Sequence, residues 1–308
     1  MRRMSVPPPS GALSESIGAL SDLTYSCEDG IGTITLSRAD AANAYSSGMI
    51  ASLEAVLRAV ETDDSVRVLV LTGAGKAFSA GGDLHDMATA TGMFGGTPAQ
   101  LHKHYEQGLH RVALAFERLT KPIVAAINGH AVGGGLTLAC MCDIRVCSAD
   151  AKLGAPFVKL GLVPADGSTH VLPRTVGFSR ALDLMLTGRM LDASEAERIG
   201  LVDQVVPASE VLARARATAA LIAAAPAVAV QLTKRACYSS ARLSMAASLE
   251  LVAGYQAIAQ RSDEHFLAVE SRLARSEPGR PLFTRAPEGA AHGVEGAGLV
   301  TGRAGQAE

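Results

Sequence analysis

The chain has 308 residues, 48% hydrophobic and 19% charged, and a formal net charge of −2. So apolar a chain buries a large core, which excludes global disorder, and it has no basic excess to neutralise a run of phosphates. Aromatic residues make up 4% and Trp is absent, so a base-stacking platform is excluded too and nucleic acid is not an expected partner.

Taken in chain order, residues 1–22 are rich in Pro, Ser and Gly and read as a disordered tail. A β-branched run at 31–36 predicts a strand, and apolar spacing over 47–60 predicts a helix. Residues 66–72 are almost wholly apolar, the pattern of a strand covered on both faces. A glycine-rich turn and a polar stretch reach Gly96, then 98–119 reads as one helix. A buried strand at 122–127, a helix opening at 133–141 and a strand at 143–147 complete an alternation that argues for an α/β core. Beyond about residue 175 strands nearly vanish, and helices are expected over 180–186, 193–199, 208–225, 228–239 and 243–274. Residues 286–308 read as a second disordered tail. The helical faces must be covered by the core or by another subunit, so self-association is expected.

Cys27, Cys140, Cys142, Cys147 and Cys237 are odd in number. Three of them crowd together as C-x-C-x4-C, which is not the paired C-x2-C of structural zinc sites. Buried free thiols are expected, with neither a metal nor a cofactor. Residues 1–13 carry two Arg and then three Pro with no apolar stretch behind them, and the apolar run 217–230 is broken by Pro226 and too short for a bilayer. No membrane association and a cytoplasmic location are expected.

Two glycine-rich segments each follow a buried strand. In Phe78-Ser79-Ala80-Gly81-Gly82-Asp83-Leu84 adjacent glycines allow a sharp turn and leave backbone N–H groups uncovered. In Asn128-Gly129-His130-Ala131-Val132-Gly133-Gly134-Gly135 the glycines open a helix, where the dipole favours negative charge. Two such turns side by side would aim two amides at one oxygen atom, the requirement of an oxyanion hole. The alternative is that both are only tight strand-to-helix turns. The second segment lacks the G-x-G-x-x-G spacing of a dinucleotide site.

These segments, together with Ile34 to Ala44, Gly161-Leu162-Val163-Pro164, Leu186 to Ala193 and Ile199-Gly200-Leu201-Val202, stand in an order that resembles the enoyl-CoA hydratase/isomerase, or crotonase, superfamily over roughly residues 23–275. The resemblance implies a spiral of ββα units over 23–200 and a helical region over 201–285 that builds a homotrimer or a dimer of trimers. It implies an acyl-CoA substrate whose thioester oxygen sits between the amides of Gly82 and Gly134. CoA would enter as part of the substrate, Ala41, Ala44, Ala80, Gly81, Asp83 and Leu84 would line its groove, and Thr137 and Phe157 would also contact the substrate.

The same resemblance makes the reaction specific by what is missing. Hydratases of the family place two glutamates where this chain has Thr137 and Phe157, so two-glutamate water addition is not expected. Asp166 remains as the nearby acid. It resembles the aspartate of the diketone-hydrolase branch, which has a histidine where this chain has Phe157, and it lies one position beyond the usual isomerase carboxylate, here Ala165. A desolvated carboxylate suits proton shuttling between carbons, but Asp also caps helices, and one is expected from Ser168. The expectation is an isomerase or lyase that moves a proton on a CoA thioester, with a diketone hydrolase or a degenerate acyl-CoA binder as alternatives. His170, about one turn beyond Asp166, is a weaker candidate partner. His85, Asp86, His102, His104 and Tyr105 read as a solvated face, Asp83 as a turn anchor, and Asp143 as a strand start outside the site.

Overall fold

Strand β1 (Leu23–Glu28) pairs antiparallel with β2 (Ile31–Leu36) across the tight turn at Asp29 and Gly30, both of positive φ. These coordinates are a computed structural model, and they describe residues 18–276. Ser46 caps α1 (Ser47–Glu61) by accepting from the Met49 amide, and the helix buries Met49, Leu53, Val56, Leu57 and Val60 at helical spacing. Next come β3 (Val68–Gly73), β4 (Ala77–Ser79) and the short α2 (Leu84–Thr89). The single helix expected over 98–119 is two: α3 (Pro98–Gln107) and α4 (Leu109–Arg118). They break at Gly108, whose φ of −119° and ψ of −101° no helix contains. Strands β5 (Ile123–Ile127) and β6 (His130–Val132) lead into α5 (Gly134–Cys140). Then β7 (Ile144–Ser148) and β8 (Lys152–Gly154) precede α6 (Ser168–Val176) and α7 (Phe178–Thr187). The rest is β9 (Met190–Asp192), α8 (Ala193–Arg198), β10 (Gln204–Val206), α9 (Val211–Ala223), α10 (Ala227–Ser240), α11 (Met245–Gln260) and α12 (Asp263–Ser276).

Six strands form one sheet in the order β1-β2-β3-β5-β7-β10, parallel except for the β1–β2 hairpin. The apolar runs in β3 and β5 follow from cover on both faces. Leu69, Leu71, Ile123, Ala125 and Ile127 face the main core with α1 and α4, while Val68, Val70, Val124 and Ala126 face Val211, Ala215 and Ala219 of α9. A second sheet, β4-β6-β8-β9, is built from three-residue strands that periodicity does not reveal.

The region 201–285, read as a helical appendage, therefore also supplies an edge strand and a covering helix to the large sheet. Residues 18–22, read as part of a tail, are tied down: the Ser21 amide donates to Ser52 Oγ at 2.8 Å, and Ser46 Oγ donates to the Asp22 carboxylate at 2.5 Å. The rest of both expected tails, 1–17 and 286–308, lies outside the described residues. Helices α10 and α11 bury none of their residues, although Lys234 and Tyr238 bind Asp143 at 2.8 Å each. Asp143, expected to start a strand, stands one residue before β7 and also accepts from the Ile123 amide at 2.8 Å. No single helix among the described residues is long and apolar enough to cross a membrane, and the apolar pair flanking Pro226 bends by 107°.

Candidate active site

The two glycine segments meet. They follow β4 and β6, which pair in parallel, so the tight turns leave the small sheet side by side. Gly81 has a φ of +78°, which glycine adopts without strain. A Cβ built on it would lie 2.5 Å from the Gly134 nitrogen and 3.0 Å from that of Gly135, so only glycine allows this approach. Gly133 also has positive φ, +54°, and donates to the Gly154 carbonyl at 2.8 Å. Gly134 is the first residue of α5, so its N–H has no acceptor within the helix. On the other turn, the Tyr45 amide donates to the Gly81 carbonyl at 2.7 Å. The Gly81–Gly82 peptide is trans, so the Gly82 N–H points the opposite way, away from the Tyr45 backbone.

The loop that holds Tyr45 is pinned by Asn43, which accepts from the Arg38 amide and donates to the carbonyls of Ala74 and Ala77. Ser79 Oγ donates to the Asn43 carbonyl at 2.8 Å. Ala80 donates to the Ala42 carbonyl at 2.9 Å, which brings Ala41 and Ala44 alongside the first glycine turn. Asp83 caps α2 through the amides of His85 and Asp86 and pairs with Arg38 at 2.8 Å. Burial opposes its charge, but those amides and the guanidinium outweigh it and hold the carboxyl below its ordinary range. Leu84 is 62% exposed beside it.

Asp166 is buried, at 6% exposure, and its two oxygens differ. Oδ1 accepts from the Ser168 amide at 3.1 Å and from the Ser168 hydroxyl. Oδ2 is buried with no hydrogen-bond partner and lies 3.3 Å from where a Cβ on Gly134 would stand. The helix cap proper is Gly167, without a side-chain bond, so Asp166 fixes the turn before α6 with one oxygen only. Thr137, buried on α5, bonds Ser168 Oγ at 2.8 Å. With the carboxylate ionised, Thr137 donates to Ser168 and Ser168 to Asp166. The Phe157 ring packs 3.7 Å from the Cβ position of Gly133. Neither Thr137 nor Phe157 brings an acid to the glycine turns.

His170 is exposed and faces Arg174, Arg242 and Glu117, so it does not partner Asp166. Burial and then the two guanidiniums lower its pKa. His85 and His102 are exposed as expected, while Asp86 is half-buried and His104 bonds the Met93 carbonyl at 3.2 Å. Tyr105 departs from the solvated-face reading: it packs on the core, and burial followed by the Asp166 charge raises its pKa. Its neighbour His110 bonds the Ala165 carbonyl at 2.9 Å and so holds the loop that carries Asp166. Sequence reasoning missed His110, Ser168 and above all Tyr45. Tyr45 is 6% exposed, and its hydroxyl donates to the Gly134 carbonyl at 2.6 Å. The available signal was its rarity, one of five tyrosines in the chain, set directly after Ala44.

Cys140, Cys142 and Cys147 are buried free thiols; burial pushes Cys140 up to about 11 and Cys147 to about 12. Cys27 is half-buried and Cys237 is exposed, contrary to the expectation that all five are buried.

The enoyl-CoA hydratase/isomerase family model matches residues 26–284. The chain is 36% identical over 252 residues to the 1,2-epoxyphenylacetyl-CoA isomerase of Escherichia coli, covering 82% of this chain and 95% of that protein. The structure of an enoyl-CoA hydratase from Bacillus anthracis superposes with a TM-score of 0.77 at 31% identity, over 83% of this chain and 96% of that one. An enoyl-CoA hydratase from Mycobacterium smegmatis gives 0.76 at 29% identity, over 85% and 98%. With the fold, the paired glycine turns and this similarity along the chain in agreement, the protein belongs to the enoyl-CoA hydratase/isomerase (crotonase) family.

Proposed function

We propose that this protein binds an acyl-CoA thioester, stabilises its enolate with the amides of Gly82 and Gly134, and uses Asp166 to move one proton on the acyl chain. The observation that carries this reading is the division of labour in Asp166. One oxygen is held by Ser168, and the other is buried, unpartnered and beside Gly134. A free, desolvated carboxylate oxygen is a proton acceptor, and this one stands next to a glycine turn proposed to hold the thioester oxygen.

Double-bond migration is the simplest reaction that uses these parts. The carboxylate takes a proton from the carbon next to the thioester carbonyl, and the electron pair spreads over the carbonyl oxygen and the adjoining double bond. The two amides stabilise the oxygen charge, and the carboxylic acid returns the proton two carbons further on. The absence of a carboxylate at Thr137 and Phe157 supports this over hydration; the chain's relatives include proteins named as enoyl-CoA hydratases and a protein named as a CoA-thioester isomerase. The exposed apolar residues Met245, Leu249 and Ile258 on α11 support self-association through the C-terminal helices, and a trimer or a dimer of trimers is the state that the family resemblance implies.

Titration with acetyl-CoA and crotonyl-CoA, then turnover of a 3-enoyl-CoA and of crotonyl-CoA, tests the proposal. The expected result is thioester binding, Asp166-dependent isomerisation and negligible hydration. Binding without turnover would identify a degenerate binder, and no binding would redirect the search to carbon–carbon hydrolysis of diketones.

A further inference from the structure

Tyr45 touches both glycine turns by different parts of itself. Its main-chain N–H donates to the Gly81 carbonyl at 2.7 Å, which is the carbonyl of the same peptide unit whose N–H belongs to Gly82. A bond to one end of a peptide plane fixes the direction of the other end and polarises it. Its hydroxyl donates to the Gly134 carbonyl at 2.6 Å, on the peptide unit after the Gly134 N–H, so this bond anchors the residue in place rather than polarising that amide; its ring carbons lie 2.6 and 3.3 Å from the Cβ position of Gly134. Asp166 Oδ2 lies 3.3 Å from that same point.

The main-chain contact is open to any residue except proline, but the hydroxyl contact is not one that core packing demands. A leucine or methionine would fill the space without the hydroxyl, and a buried phenol loses free energy unless it finds an acceptor. The phenol has a single proton, and it goes to Gly134, so Asp166 Oδ2 receives none from it. Burial and the Asp166 charge oppose ionisation of Tyr45, so it stays a neutral donor.

We infer that Tyr45 is a positioning residue that sets the spacing of the two glycine turns, aiming the Gly82 amide through its own N–H and anchoring Gly134 through its hydroxyl, while leaving the Asp166 base unbonded. The inference rests on the oxyanion-hole reading above. A displacement on the order of 1 Å in a positioned group costs about a hundredfold in rate, and losing one strut of two costs less, about tenfold in kcat.

The test compares wild type with Tyr45→Phe, which removes only the hydroxyl, and with Tyr25→Phe, the same deletion at a buried hydroxyl remote from the glycines. Acetyl-CoA isotope-labelled at the carbonyl carbon is bound to each, and its carbonyl stretch is read by difference infrared spectroscopy beside kcat and KM for a 3-enoyl-CoA. The expected result is a lowered carbonyl frequency in wild type and Tyr25→Phe. In Tyr45→Phe a smaller lowering, a roughly tenfold fall in kcat and little change in KM are expected. An unshifted carbonyl in wild type would refute the oxyanion hole itself. A shift and kcat in Tyr45→Phe equal to wild type would overturn the role of Tyr45 and leave the hole standing. A collapse of the melting temperature in Tyr45→Phe would also overturn it, making the hydroxyl a structural element instead.

Discussion

Asp166→Asn exchanges one carboxylate oxygen for an amide group at the centre of the proposed chemistry. The amide oxygen can take the place of Oδ1, which accepts from the Ser168 amide and hydroxyl, so the turn before α6 should persist. The NH2 group replaces Oδ2, the oxygen buried with no partner. The NH2 group is no better partnered there but carries no charge, and an unpartnered buried charge costs more than an unpartnered neutral group, so the substitution should leave stability unchanged or raise it by about 1 kcal/mol. In a chain of this size that moves the melting temperature by roughly 2–4 °C at most. Activity should move the other way. A positioned general base contributes about 10²–10⁴-fold, and an amide cannot accept the proton, so kcat for 3-enoyl-CoA isomerisation should fall by that factor with KM nearly unchanged. The assay is the appearance of the conjugated thioester absorbance, run beside a thermal melt on the same preparation. Unchanged kcat would refute the assignment, and activity lost only in step with stability would reduce Asp166 to a structural residue.

Gly81→Ala places a methyl 2.5 Å from the Gly134 nitrogen at a φ of +78°. It should cost about 2–4 kcal/mol in a denaturant melt and most of the turnover, although no hydrogen-bond donor is deleted. Asp83→Asn keeps a capping oxygen for α2 but removes the charge that faces the helix N-terminus and pairs with Arg38, destabilising by about 0.5–1 kcal/mol at neutral pH. The folded carboxyl lies below its ordinary value, so its stabilising effect is complete above that value and is lost as pH falls through the folded pKa. Urea melts should therefore show the gap between wild type and Asp83→Asn closing below about pH 4. Light scattering should show more than one chain per particle, and Leu249→Lys, at a position 59% exposed on α11, should reduce that mass without unfolding the core.

Periodicity and composition were enough to place β2, β3, β5, β7 and α1 to within two residues, because each is long or apolar enough for its pattern to stand out. The small sheet was not legible, since its three-residue strands offer too few side chains to show alternation. The break at Gly108 was missed because a lone glycine inside an amphipathic run is compatible with a continuous helix until its dihedral angles are known.

In the site, the sequence alone determined the chemistry that is available: glycines where a backbone N–H must stay uncovered, no acid at residues 137 and 157, and one acid at Asp166. Backbone freedom and side-chain ionisation are local properties, written residue by residue. The tertiary structure decided which of these groups meet. It set the turn of Gly81 on Gly134, left Asp166 Oδ2 without a partner, turned His170 away and brought Tyr45 across both turns. Tyr45 and Gly134 are 89 residues apart, and no local pattern encodes a hydrogen bond over that span; it exists only because two parallel strands end side by side.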